Sequence, residues 1–217
     1  MPVNTTQLIP LDELTPGAVG AIRNTVIEAI VAKASKELNI PSEQLVVRDV
    51  RPATDLQLYA AGTTDSTVDE WGYDATTTSA SAFTPVNGSK TMGNQRYVAL
   101  FGVRDLRKGI GVHTTAMSLF EATTLMGDAT SASVPIVPGQ MVSLIKINVG
   151  GADKVIWDLT GMEAYDNPVA FTPSAVIIPQ NSTFNIYYYF KTTCAGIRAY
   201  LQLVGVVVEP RGKVVSP

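Results

Sequence analysis

The chain has 217 residues, 46% of them hydrophobic and only 16% charged, with a formal net charge of −3. That balance allows one large β domain with a substantial core and excludes the clustered Lys and Arg that a nucleic-acid backbone requires. A single cysteine, Cys194, and a single histidine, His113, exclude an internal disulfide framework, a cysteine-based zinc site and the multi-imidazole centres of barrel metal enzymes.

In chain order, the first predicted element is a helix. Thr15 reads as its N-cap and Pro16 as its first residue, where a missing N–H costs nothing. Val19, Ile22, Val26 and Ile30, joined by Ile27, Val31, Ala34 and Leu38, make a broad apolar face, and Asn39-Ile40-Pro41 ends the helix. Such a helix is expected to pack on a sheet or on a neighbouring subunit. Its polar side mixes Glu28 with Lys33 and Lys36 and lacks the basic excess of a helix that lies on lipid. Residues 43–51 and 55–60 follow as short strand candidates, parted by Pro52, whose lost amide would spoil a central ladder. Residues 62–94 form a polar run whose apolar anchors are Val68, Trp71, Tyr73, Phe83, Val86 and Met92, and the length predicts a projecting loop.

Strands resume at residues 95–103, where Tyr97, Ala99, Phe101 and Val103 alternate with Arg96, Val98 and Leu100, and again at 111–120. Between them, Gly109-Ile110-Gly111 lacks the third glycine, following helix and distal acid of a dinucleotide fingerprint and reads as a turn. Residues 140–149 and 154–160 read as two strands joined at Gly150-Gly151, with Val155, Trp157 and Leu159 on one face. Three further strands are predicted at 175–179, 182–191 and 197–209. In the second of these, Phe184, Ile186, Tyr188 and Phe190 share one side of the pleat, and Asn185, Tyr187 and Tyr189 the other. A tyrosine-lined outer side suits a strand that faces another sheet or another subunit.

Eight to ten strands with regular turn signals and one good helix predict an all-β fold, an antiparallel jelly-roll sandwich or barrel with an N-terminal amphipathic α-helix. Residues 1–44 then form an N-terminal arm and helix, and residues 45–217 the β domain with its long polar loop at 62–94.

Chemistry finds little foothold. The chain has no Gly-x-Ser-x-Gly elbow. Nothing in the pattern pairs Glu121, Asp158, Glu163 or Asp166 across a cleft, and Asp65, Asp69 and Glu70 fail the spacing of a calcium loop. Neither an enzyme nor a cofactor or metal site is expected. Sequons at Asn4, Asn87 and Asn181 read as turns, and neither a signal peptide nor a membrane span is expected. A weakly charged surface costs solubility unless neighbours cover it, which favours an assembly.

The amphipathic helix, the Thr/Ser/Gly-rich β body, and the ending Val176-Ile177-Ile178-Pro179-Gln180-Asn181-Ser182-Thr183-Phe184 with residues 201–208 resemble viral coat proteins. The pattern is similar to the single jelly-roll capsid proteins of icosahedral viruses that infect archaea and bacteria, several of which enclose a membrane. The resemblance covers residue 45 to the end and carries no diagnostic motif. It implies a virion subunit, made in the host cytoplasm, whose partners are copies of itself and other capsid proteins, with no sequence-specific nucleic-acid binding. It further implies that the N-terminal helix is the inner contact, near any internal membrane. Interface candidates are Val19, Ile22, Val26, Ile30, Trp71, Tyr73, Tyr187 and Tyr189. The alternative from another class is a carbohydrate- or ligand-binding β-sandwich module of a phage decoration or appendage protein, using rings such as Trp71, Tyr73, Trp157 or Tyr187.

Overall fold

The helix begins and ends where capping chemistry requires. The computed structural model describes residues 5–56, 73–77, 83–85, 89–105, 142–160, 162, 169–190 and 194–213. In it, α1 spans Pro16–Leu38. Thr15 accepts a hydrogen bond from the Ala18 amide through Oγ1 at 3.2 Å, and Asn39 closes the other end in the left-handed region at φ 54°. Two short strands precede it, β1 (Thr5–Gln7) and β2 (Ile9–Pro10). After it come β3 (Leu45–Asp49), a one-turn α2 (Pro52–Asp55), β4 (Tyr73–Thr77), β5 (Phe83–Pro85), β6 (Lys90–Thr91) and β7 (Tyr97–Asp105). The rest is β8 (Val142–Val149), β9 (Ala152–Asp158), β10 (Val169–Ile178), β11 (Thr183–Phe190) and β12 (Cys194–Pro210).

These strands make a β-sandwich. Sheet I has the order β1-β9-β8-β11-β5, with β6 also on β11; sheet II has the order β2-β10-β7-β12-β3, with β4 also on β12. All pairings are antiparallel except β1 on β9. The β8–β9 hairpin turns at Gly150 and Gly151, with φ 63° and 77°. Two consecutive positive φ angles are what a tight hairpin turn needs, and glycine adopts them without steric cost.

Alternation then fills two separate cores. Ile145, Ile147, Val155, Trp157, Phe184, Ile186 and Tyr188 from sheet I meet Val98, Leu100, Val103, Ile178, Leu203 and Val207 from sheet II. On the opposite side of sheet II, Tyr97, Ala99, Phe101, Phe171, Val206 and Val208 pack with Val26, Ile30 and Ala34 of α1. The central strand β7 is therefore buried on both faces. Where β7 bulges against β12, the backbones come so close that a Cβ on Gly205 would lie 2.3 Å from the Ala99 carbonyl oxygen, so only glycine fits there.

Several expectations change. Val26 (3% exposed) and Ile30 (0% exposed), expected at a subunit contact, are buried inside the chain's own core. Val19 and Ile22 are half-buried beside that core. The helix lays its apolar stripe on sheet II, with Val26, Ile30 and Ala34 buried and Ile27, Val31 and Leu38 partly buried. The polar stretch 62–94 is not wholly a loop, because β4, β5 and β6 return from it to both sheets. Residues 1–44 are not wholly an arm: β1 extends sheet I, Leu8 (3% exposed) inserts into the sandwich core, and β2 extends sheet II. Asp55, the first residue of the strand expected at 55–60, belongs instead to α2, whose start at Pro52 uses the ring's preset φ; residues 57–60 lie outside the described residues. The strand expected at 111–120 lies outside the described residues.

One polar contact fastens the helix. The Tyr97 hydroxyl donates to Glu37 Oε2 at 2.9 Å, and Lys33 Nζ reaches Glu37 Oε1 at 2.6 Å. Burial, then the bond to Glu37, pushes the Tyr97 hydroxyl up to about 12. The Lys33 hydrogen bond, partly opposed by burial, holds Glu37 below the usual range. A raised folded-state value means that the Tyr97 contribution is complete below pH 10, where the unfolded phenol ionises, and is lost as pH rises through about 12. Tyr97→Phe should therefore lower stability by about 1 kcal/mol at pH 7 and flatten the alkaline loss above pH 10, both read from denaturant melts across pH.

Candidate functional site

The two outer faces of the sandwich differ. α1 covers sheet II, touching β10, β7, β12 and β3, whereas among the described residues no helix covers sheet I. Because inward and outward positions alternate, the outer face of sheet I can be read from its register. One cross-strand row runs Thr5, Ile156, Lys146, Tyr187, Pro85; the next runs Gln7, Asp158, Leu144, Tyr189, Phe83. A third row holds Asp153, Asn148 and Asn185. Ile156, Leu144, Tyr187, Tyr189 and Phe83 are half-buried, with polar groups around them.

The side chains on this face hold one another in place. Lys146 Nζ lies 4.5 Å from the Tyr187 ring centroid and 4.8 Å from that of Phe83. It also pairs with Asp153 Oδ2 at 3.6 Å. Phe83 meets Tyr189 edge to face with centroids 5.3 Å apart. Asn148 Nδ2 donates to Asp153 Oδ1 at 3.0 Å, and Asn185 Nδ2 donates to the Tyr187 hydroxyl at 3.3 Å. The Asp158 carboxylate accepts from the Thr160 amide at 2.9 Å and from its hydroxyl at 2.6 Å. Each charge on the face is thus answered within the chain, and the rings are already ordered. An ordered aromatic patch with a polar rim loses little side-chain entropy when it docks.

Of the interface candidates, Tyr187 and Tyr189 are brought together on this face, two residues apart on β11. Tyr73 opens β4 with its backbone paired to Leu201 of sheet II, on the other side of the sandwich. Trp71 lies outside the described residues, as do His113, Glu121, Glu163, Asp166, Asp65, Asp69 and Glu70. Cys194 starts β12 opposite Thr77. Among the described residues no group of three or more His, Cys, Asp or Glu could hold a metal ion, and no helix is long and apolar enough to cross a membrane.

Sequence reasoning missed a closed ring of four charges at one end of sheet II. Arg48 binds both Asp55 oxygens at 2.6 Å and reaches Glu209 Oε1 through Nε at 3.1 Å. Arg96 completes the ring, its Nε 3.1 Å from Glu209 Oε2 and its Nη1 3.4 Å from Asp55 Oδ1. Asp55 also accepts from the Arg51 amide at 2.7 Å. The carboxylates are 4% and 3% exposed, and the hydrogen bonds from Asp55 hold the Arg48 guanidinium above its ordinary range. The ring joins β3, α2, the lead into β7 and the end of β12. The only signal in sequence was four charges in otherwise apolar strand regions, as many as 161 residues apart.

Removing one arginine leaves two buried carboxylates with a single cation between them. Arg48→Met should cost about 3 kcal/mol, read as a lower denaturation midpoint, whereas Lys36→Met on the exposed side of α1 should change it by less than about 0.5 kcal/mol. No protein-family model matches the chain, and no curated protein matches it.

Proposed function

We propose that this protein is a structural subunit of a virion, a jelly-roll capsid protein that assembles with copies of itself into an icosahedral shell. The observation that carries the reading is how the strands nest. Leaving aside β1, β2 and the short β4 and β6, the remaining eight strands in chain order, β3, β5, β7, β8, β9, β10, β11 and β12, pair first with last, second with seventh, third with sixth and fourth with fifth. Rolling such a nested hairpin distributes alternate pairs to two sheets, β3-β12-β7-β10 and β5-β11-β8-β9, the order expected of a jelly roll.

The surface supports an assembling role. An aromatic face with a polar rim has the anatomy of a protein contact, and repetition of modest contacts under closed symmetry suffices for a stable shell. The carbohydrate alternative is less well served by this face, because Lys146 sits over the rings of Phe83 and Tyr187 that a sugar would stack on.

Assembly is the direct test. On concentrating the purified protein, negative-stain micrographs and sedimentation velocity should reveal closed particles or large oligomers. Tyr187→Ser combined with Tyr189→Ser should raise the concentration at which they form by about tenfold or more, since aromatic anchors dominate such contacts, with the variant still folded by circular dichroism. A chain that stays monomeric at high concentration contradicts the proposal.

A further inference from the structure

We infer that Thr5–Pro10 is a strap that blocks two sheet edges at once, and that its release exposes them to strand addition by a second copy of the chain. The inference stands on strand order and is independent of the shell reading. With β1 and β2 lifted away, β9 becomes the outermost strand of sheet I and β10 that of sheet II among the described residues. One short segment covers both.

The strap crosses the flank of the sandwich in three steps. Thr5, Thr6 and Gln7 pair in parallel with Ile156, Trp157 and Asp158. Leu8 then turns into the sandwich core, its amide 3.5 Å from the Asp158 carbonyl oxygen. Ile9 and Pro10 pair with Phe171 and Ala170 of the other sheet. Beside the strap, Thr6 joins Lys154 and Val155 of β9 and Val176 and Ile177 of β10 in lining a groove of about 240 Å³, so the two edges flank one cleft between the sheets.

An open edge presents unpaired N–H and C=O groups to any extended strand, and proteins blunt such edges with very short strands and with proline. The strap uses both devices. β1 has three residues and β2 two, too few to template a long partner, and Pro10 has no N–H to give. By contrast, β9 has seven residues, and β10 has ten around its bulge. Strand addition is carried by main-chain hydrogen bonds, and the same edge on another copy matches these in length and twist. A second copy is therefore the partner that release admits.

The strap is lightly held. Leu8 and Pro10 are buried, whereas Thr5 and Gln7 are exposed, and the Leu8 amide bond is at the long limit of a hydrogen bond. A segment with so few buried contacts opens without unfolding the rest. Its far end stays fixed, because Leu11 and Leu14 pack beside the α1 core.

Hydrogen exchange on the full chain is the test. In the unaltered protein the Leu8 amide should exchange about tenfold or more faster than the amides of β7 and β12. Leu8→Asp sets a carboxylate against an apolar core and releases the strap. Residues 156–158 and 170–171 should then exchange about tenfold or more faster, with β7 and β12 still protected. Sedimentation velocity should show the variant growing at concentrations where the original chain does not, and a synthetic peptide of Thr5–Pro10 in millimolar excess should suppress that growth. Leu8→Met, which keeps the plug, should behave as the original. Unchanged exchange at β9 and β10 in Leu8→Asp, released edges without added association, or growth indifferent to the peptide overturns the strap. Loss of protection in β7 and β12 as well makes Thr5–Pro10 an integral part of the core and overturns it too.

Discussion

Sheet II has two apolar faces, and the rest of the molecule is arranged to bury both. From Tyr97 to Leu100, β7 has no exposed surface, and Val206, Val207 and Val208 of β12 have none either. An antiparallel sheet commonly leaves one face to water, with polar residues alternating outward. Here both sets of positions are hydrophobic, so sheet I must cover one and α1 the other. Each fully buried Val or Leu is worth about 1.5–3 kcal/mol, so leaving either layer off would expose more than the usual margin of stability. That is why the helix lays its apolar stripe on sheet II.

The consequence is an asymmetric particle. One side ends in the outer surface of α1, with small and charged groups such as Ala29, Ala32, Glu28 and Lys36, all exposed. The other ends in a sheet whose outward residues include the half-buried Ile156, Leu144, Tyr187, Tyr189 and Phe83. Side chains fixed by a cation–π pair, an aromatic edge contact and several hydrogen bonds form a surface with little left to order.

Closure of the chain on itself brings the ends of the β domain together. β3 near the beginning pairs with β12 at the end, and the Arg48, Asp55, Arg96 and Glu209 ring sits where that pair meets α2 and the start of β7. Buried ions contribute little net stability, yet they tolerate few alternative arrangements. A four-charge ring that balances only when four segments are in place therefore suits a junction whose register must be specified. The N-terminal segment adds a second closure: β1 and β2 pass from one sheet to the other, with Leu8 between them in the core.

What the sequence determined by itself was local. The caps at Thr15 and Asn39, the helix they bound, the glycine hairpin at Gly150 and Gly151, and the two-sided pleat from Phe184 to Tyr189 all follow from periods of a few residues and from backbone preferences. Tyr187 and Tyr189 were legible as an outward pair for the same reason. Tertiary structure alone decided which surface each apolar stripe would meet. Val26 and Ile30 look identical in sequence whether they face a sheet of the same chain or a neighbour. Likewise, Lys146, Phe83 and Tyr187 become one cluster only after strands far apart in the chain are laid side by side, and the charge ring needs partners from four segments. Period and propensity act over one turn or one pleat, whereas pairing across a sandwich depends on loop closures that leave no local mark.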